Sequence, residues 1–161
     1  MGHIVAAVPE DRQAILALYK TQLGRPFCPW TEQYPTEENI TDDLERDALF
    51  VMKNDAGEII AAISVDDDPD VDALPQWHAE CTPGGELARL AVMPEMQNQG
   101  IAKQMILFMK DVLSERGYKG VHFLVNSQNT KALRSYAPLG FQIVGECDMY
   151  DQHFLMYETG L

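Results

Sequence analysis

One stretch constrains this chain more than any other: Glu86 to Gly117, centred on Gln97-Asn98-Gln99-Gly100-Ile101-Ala102. Ahead of the centre, Leu87-Ala88-Arg89-Leu90-Ala91-Val92-Met93 is a compact apolar run closed by Pro94, the pattern of a buried strand stopped by a proline. Behind it, Ile101, Met105, Ile106, Phe108, Met109, Val112 and Leu113 recur at three- and four-residue spacing up to Gly117. That spacing predicts an amphipathic helix with a glycine stop. The first turn of such a helix leaves backbone N–H groups unpaired at the positive end of the helix dipole, which makes it a seat for a phosphate. Gly100 lets the backbone come close to an anion, Ala102 keeps the next position small, and Lys103 adds a formal charge. Neither G-x-x-x-x-G-K-[ST] nor G-x-G-x-x-G occurs, so the nucleoside-triphosphate and dinucleotide loops do not compete.

The flanking sequence predicts a mixed sheet with helices. Ile4 to Val8 reads as a strand, and Pro9-Glu10-Asp11 opens a helix with Ile15, Leu16, Leu18, Tyr19 and Leu23 on one face and Gly24 at its end. Thr36 is placed to cap a second helix, Glu37 to Asp47, with Ile40 and Leu44 inward. Ala48–Lys53 and Glu58–Val65 are strands joined by Asn54-Asp55-Ala56-Gly57, a hairpin signal. After the central unit come a strand, Gly120 to Val125, a short helix from Asn129 to Pro138, and two closing strands, Phe141–Cys147 and His153–Glu158. The order is βααβββαβαββ, an α/β (α+β) chain. At 161 residues without a linker it is expected to form a single domain, 1–161.

Two motifs in this order carry a resemblance. Gln97-x-x-Gly100-x-Ala102 resembles the R/Q-x-x-G-x-G/A signature of the GCN5-related N-acetyltransferases (GNAT). Asn129, Ala132, Tyr136, Gly140 and Phe141 stand in the N-x-x-A-x-x-x-Y-x-x-x-G-F arrangement that this family carries after its fifth strand. The resemblance covers essentially the whole chain. It implies a GNAT-type mixed, mostly antiparallel sheet and an acetyl-coenzyme A cofactor. It also implies transfer of the acetyl group directly to a primary amine of a small molecule or peptide in a ternary complex. The runner-up is a non-catalytic acyl-CoA-binding sensor; the presence of both Tyr136 and Glu86 speaks against it.

The resemblance assigns roles residue by residue. Amides of Gln97, Asn98, Gln99, Gly100, Ile101, Ala102 and Lys103 would hold the pyrophosphate. The backbone of Leu90, Ala91 and Val92 would pair with the pantetheine arm, which Asn129 also contacts, although Asn129 is equally placed as a helix N-cap. Tyr136 is the candidate general acid, because a phenol of ordinary pKa about 10 can protonate a departing thiolate within hydrogen-bond reach; the alternative is an aromatic packed on the sheet. Glu86, eleven residues before Gln97, is where histone-acetylating members carry a catalytic glutamate, and it is the candidate general base. Its alternative is an exposed acid at a strand end, and His78, Glu80 and His122 are rivals for the base.

Charge and loops speak to the acceptor. The chain carries −13 overall, yet the segment from Leu87 to Arg134 is net +4, so the acidity lies elsewhere. That balance disfavours nucleic acid as partner and suits an anionic cofactor with a cationic acceptor, while a merely solvated acidic surface is an equal reading. Arg25 to Pro35 carries Phe27, Trp30 and Tyr34, and the acidic Asp66–Gly84 loop carries Trp77. These four aromatics are candidate walls for an ammonium through cation–π contact, or else plugs for the core. Three scattered cysteines, no apolar run of membrane-spanning length and no signal-like start point to a reduced, cytoplasmic protein with no membrane association. No metal is expected, since the aspartates of the acidic loop lack calcium-loop spacing; a homodimer is left open.

Overall fold

The computed structural model describes residues 2–25 and 28–161, with only the backbone of Thr130, Lys131 and Ala137. Seven strands form a mixed, mostly antiparallel sheet: β1 (His3–Ala6), β2 (Leu49–Lys53), β3 (Ile59–Asp66), β4 (Gly84–Val92), β5 (Gly120–Asn126), β6 (Gln142–Met149) and β7 (Gln152–Gly160), in the order β1-β2-β3-β4-β5-β7-β6. The helices are α1 (Arg12–Lys20), α2 (Glu37–Glu45), α3 (Pro69–Asp72), α4 (Ile101–Glu115) and α5 (Thr130–Tyr136). This is the element order expected from the sequence, with one addition. The acidic loop after β3 contains the single-turn α3, opened by an Asp68 side chain that accepts from the Asp70 amide at 3.0 Å, with Pro69 at the first helical position.

The chain divides into two compact units, residues 1–66 with 88–105, and residues 67–87 with 106–161. In the first, β1, β2 and β3 pair antiparallel, and Asn54 builds the hairpin turn by accepting from the Ala56 and Glu58 amides. Its core gathers Ile15, Leu18 and Tyr19 of α1 and Ile40 of α2 against Leu49, Val51, Ala62 and Ala91. The three- and four-residue spacing in each helix puts these side chains on the buried face.

In the second unit the start of β4 runs parallel to β5 through Gly84↔Gly120, Gly85↔Val121 and Glu86↔His122, and β7 pairs antiparallel with both β5 and β6. A methyl group at Gly85 would fall 2.9 Å from Leu113 of α4, so Gly85 faces that helix and strand alternation turns Glu86 to the other side. On that other side lie the residues after α3: a methyl at Gly120 would meet Cys81 at 2.6 Å, and one at Gly84 would meet the His122 ring at 2.7 Å. Glycine is therefore required where the 67–83 segment packs onto the strands. Among the described residues no helix is long and apolar enough to cross a membrane.

Candidate functional site

The loop between β4 and α4 has the shape the sequence predicts. Val92 ends the strand, Pro94–Met96 make one 3₁₀ turn, and the chain then passes through two left-handed residues, Asn98 at φ 62° and Gly100 at φ 78°. A Cβ at Gly100 would meet nothing within 4 Å, so the backbone here is open to an incoming group. The first bond of the helix is Gln104 N–H to the Gly100 carbonyl at 3.0 Å. The amides of Ile101, Ala102 and Lys103 thus stand in the turn that has no intrahelical acceptor. Lys103 is exposed beside them. A negatively charged diphosphate fits this arrangement of donors, open backbone and positive charge.

Gln97 does more than contribute an amide. Its Nε2 donates to the Val92 carbonyl at 3.1 Å, where Gln22, in the turn after α1, also donates at 2.9 Å, and its Oε1 accepts from Arg25. The side chain ties the loop back onto the end of β4. Ala91 points into the core and Leu90 is half-buried.

Within β4, Arg89 has φ 50°, a left-handed conformation unusual for any residue but glycine. Its side chain is buried, not solvated. Nε and Nη2 donate to the two oxygens of Asp43 at 3.0 and 2.8 Å, Nη1 and Nη2 to those of Asp66 at 3.2 Å each, and Nη1 to the Tyr34 hydroxyl at 3.0 Å. Burial works against the charge, but Tyr34, Asp43 and Asp66 more than reverse it, and the guanidinium is held even more firmly protonated than usual.

The second unit holds Tyr136 and Glu86. Tyr136, at the end of α5, meets Phe123 edge-to-face at 5.2 Å and Tyr157 at 6.3 Å. Burial among these rings pushes its phenol up to about 12, so it stays protonated through the physiological range. Asn129 caps α5, its Oδ1 accepting from the Ala132 amide at 3.1 Å. Glu86 is buried, correcting the exposed strand-end alternative; it lies beside His122 in the β4–β5 register, and its charge helps hold the Tyr150 phenol above its ordinary range, after burial and Asp68.

Of the rivals for a base, His122 is buried under Trp77, stacked at 4.3 Å and 27°, with Nε2 3.1 Å from Asp72. Burial lowers it to about 4, and the half-exposed Asp72 carboxylate, screened by water, does not reverse that. His78 is exposed and bonded through Nδ1 to Glu158 at 2.7 Å, which raises it. Glu80 is exposed.

The described candidate acceptor aromatics each have their own surroundings. Phe27 lies outside the described residues. Trp30 packs edge-to-face on Tyr19 at 5.4 Å against the core of the first unit, Tyr34 is largely exposed with its hydroxyl on Arg89, and Trp77 covers His122 while donating its indole N–H to the Val71 carbonyl at 2.8 Å. Tyr150, which the sequence reading passed over, stands exposed at the β6–β7 turn with its hydroxyl on Asp68. Its only sequence signal is an aromatic at the turn between two strands.

Against family models, residues 11–141 match the acetyltransferase (GNAT) family. The chain belongs to this family. Its cofactor is therefore acetyl-CoA. Solved GNAT structures share the fold at low identity. Ribosomal-protein-alanine N-acetyltransferase from Brucella melitensis is 19% identical, with 99% of each chain covered and a TM-score of 0.78. Ribosomal-protein-S18-alanine N-acetyltransferase from Escherichia coli is 18% identical, with 99% of this chain and 94% of that one covered and a TM-score of 0.75. The yncA protein from Salmonella typhimurium, solved with its cofactor acetyl-CoA, is 17% identical, with 100% and 94% covered and a TM-score of 0.77. Among curated proteins compared by sequence, none matches. Within the matched residues, the Gln97–Lys103 loop has the open Gly100 and the unpaired first helical turn that fit a diphosphate.

Proposed function

We propose that the chain, as a single domain over 1–161, is an acetyl-CoA-dependent N-acetyltransferase that acts on a primary amine of a small molecule or peptide by direct transfer. The observation that carries this reading is the Gln97–Lys103 loop, inside the family match: two left-handed residues deliver an open backbone to the unpaired first turn of α4. Bound acetyl-CoA supplies an activated thioester carbonyl. The residues of the chain supply the rest.

Amides of Gln97 to Lys103 hold the pyrophosphate, and the main chain of Leu90 to Val92 aligns the pantetheine arm and offers an N–H to the carbonyl oxygen. Glu86, buried and on the sheet face away from α4, takes the proton of the incoming ammonium. Tyr136, protonated at neutral pH, donates to the departing sulfur. Asn129 combines its capping bond with a contact to the arm. Tyr34, Trp30, Trp77 and Phe27 are proposed to shape the acceptor site, with the acidic surface favouring a cation.

A panel of amines, from amino acids and polyamines to peptide N-termini and lysine peptides, incubated with acetyl-CoA while free thiol is followed, tests this. Thiol release that depends on one amine class supports the reading. Tight acetyl-CoA binding with no amine-dependent release from any class overturns it in favour of the sensor.

A further inference from the structure

We propose that Arg89 is a positioning residue for acetyl transfer. Its guanidinium, clamped by Asp43, Asp66 and Tyr34, fixes a left-handed step in β4 and so sets where the amides of the next residues, Leu90 and Val92, point. The inference rests on the reading of β4 as the strand that receives the acyl carbonyl.

The geometry is over-determined at this one residue. A guanidinium has five N–H donors, and here Nε, both Nη1 and both Nη2 hydrogens have acceptors: two bonds to Asp43, two to Asp66 and one to Tyr34. Asp43 is itself held, accepting from Ser64 Oγ at 2.7 Å and Arg46 Nη2 at 2.6 Å, and its side chain is 1% exposed. The clamp thus draws on α2, the end of β3, and the segment before α2. A residue in the left-handed region persists only where its surroundings hold it there, and such residues gather where a backbone direction matters. A left-handed residue within a strand also re-aims the residues that follow it. Leu90 follows directly and Val92 two residues after it, and the Val92 carbonyl is held by Gln22 and Gln97. An ordinary buried ion pair would need neither the φ of 50° nor a full set of five donors at the same residue.

Infrared spectroscopy of acetyl-CoA carrying ¹³C at the acetyl carbonyl reads this hydrogen bond without an acceptor. In the wild-type protein the bound carbonyl band should lie below its free frequency. In Arg89→Met it should return toward the free value, with kcat reduced at least about tenfold and the affinity for CoA itself within about threefold of wild type. Because Arg89→Met takes two hydrogen bonds from the buried Asp43, leaving it Arg46 and Ser64, and can fail to fold, Asp66→Asn is the second variant: it keeps the side-chain shape and the Asp43 pair, and should shift the band part of the way. A wild-type band pattern in Asp66→Asn and in any folded Arg89→Met, with only melting temperatures lowered, overturns the positioning role. Failure of the wild-type protein to bind acetyl-CoA at all overturns the functional reading itself, and with it this inference.

Discussion

Trp77 lies flat on His122, ring centroids 4.3 Å apart, and seals an imidazole whose Nε2 sits 3.1 Å from Asp72. Burial lowers His122 from 6.5 to about 4, so the folded protein binds fewer protons than the unfolded chain between those values. The sign follows from linkage: the stability is complete above about pH 6.5 and is lost as pH falls toward 4, by at most about 3 kcal/mol. His122→Phe keeps a ring under Trp77 without a titrating group. Denaturant unfolding at several pH values between 4 and 7.5 should show a shallower acid loss in this variant. His78, raised by Glu158, has the opposite sign and is common to both proteins, so it cancels from the difference. Parallel stability curves would mean that His122 titrates normally.

Asn129→Ala removes the bond to the Ala132 amide and should lower stability by about 1 kcal/mol, or roughly 2–4 °C in melting temperature. If Asn129 also touches the pantetheine arm, acetyl-CoA should bind about three- to tenfold more weakly as well. Calorimetry beside a thermal melt separates the two; unaltered affinity leaves Asn129 a cap alone.

Tyr136→Phe preserves the edge-to-face contact with Phe123 and removes only the hydroxyl. Turnover on an acceptor should fall by roughly 100-fold with acetyl-CoA affinity nearly unchanged. Because the phenol is pushed up to about 12, the wild-type rate should show no descending limb from this group up to about pH 10. Equal turnover in the two proteins would reduce Tyr136 to packing.

The central strand, loop and helix were legible because apolar spacing, Pro94 and Gly117 mark each boundary locally, and β4, α4 and the turn between them fall there. The family motifs, Gln97 to Ala102 and Asn129 to Phe141, were equally local. What the sequence did not disclose depends on partners far along the chain. Asp43 clamps Arg89 across 46 positions, and its one signal was its place three residues after Ile40, on the inward face of α2. His122 sits in a strand buried on both faces, where alternation cannot distinguish a sealed histidine from a reactive one. The one-turn α3 was hidden in an acidic run whose Asp68-Pro69 start is a helix signal too short to stand out. For Trp77 and Trp30 the sequence leaves acceptor wall and core plug equal, because an aromatic in a loop looks the same whether it faces a ligand or covers a neighbour.

Whether the Gln97–Lys103 loop seats the pyrophosphate of acetyl-CoA is decided by titrating acetyl-CoA calorimetrically into the wild-type protein, Gly100→Glu and Gly100→Asn. Position 100 has φ 78°, so any side chain there is strained, and asparagine, which tolerates that conformation best, controls for the strain without adding charge. Gly100→Glu, folded and melting close to Gly100→Asn, should bind on the order of 100-fold more weakly than it, because bulk and negative charge meet the diphosphate at the helix start. Equal acetyl-CoA affinity in the glutamate and asparagine variants would contradict it.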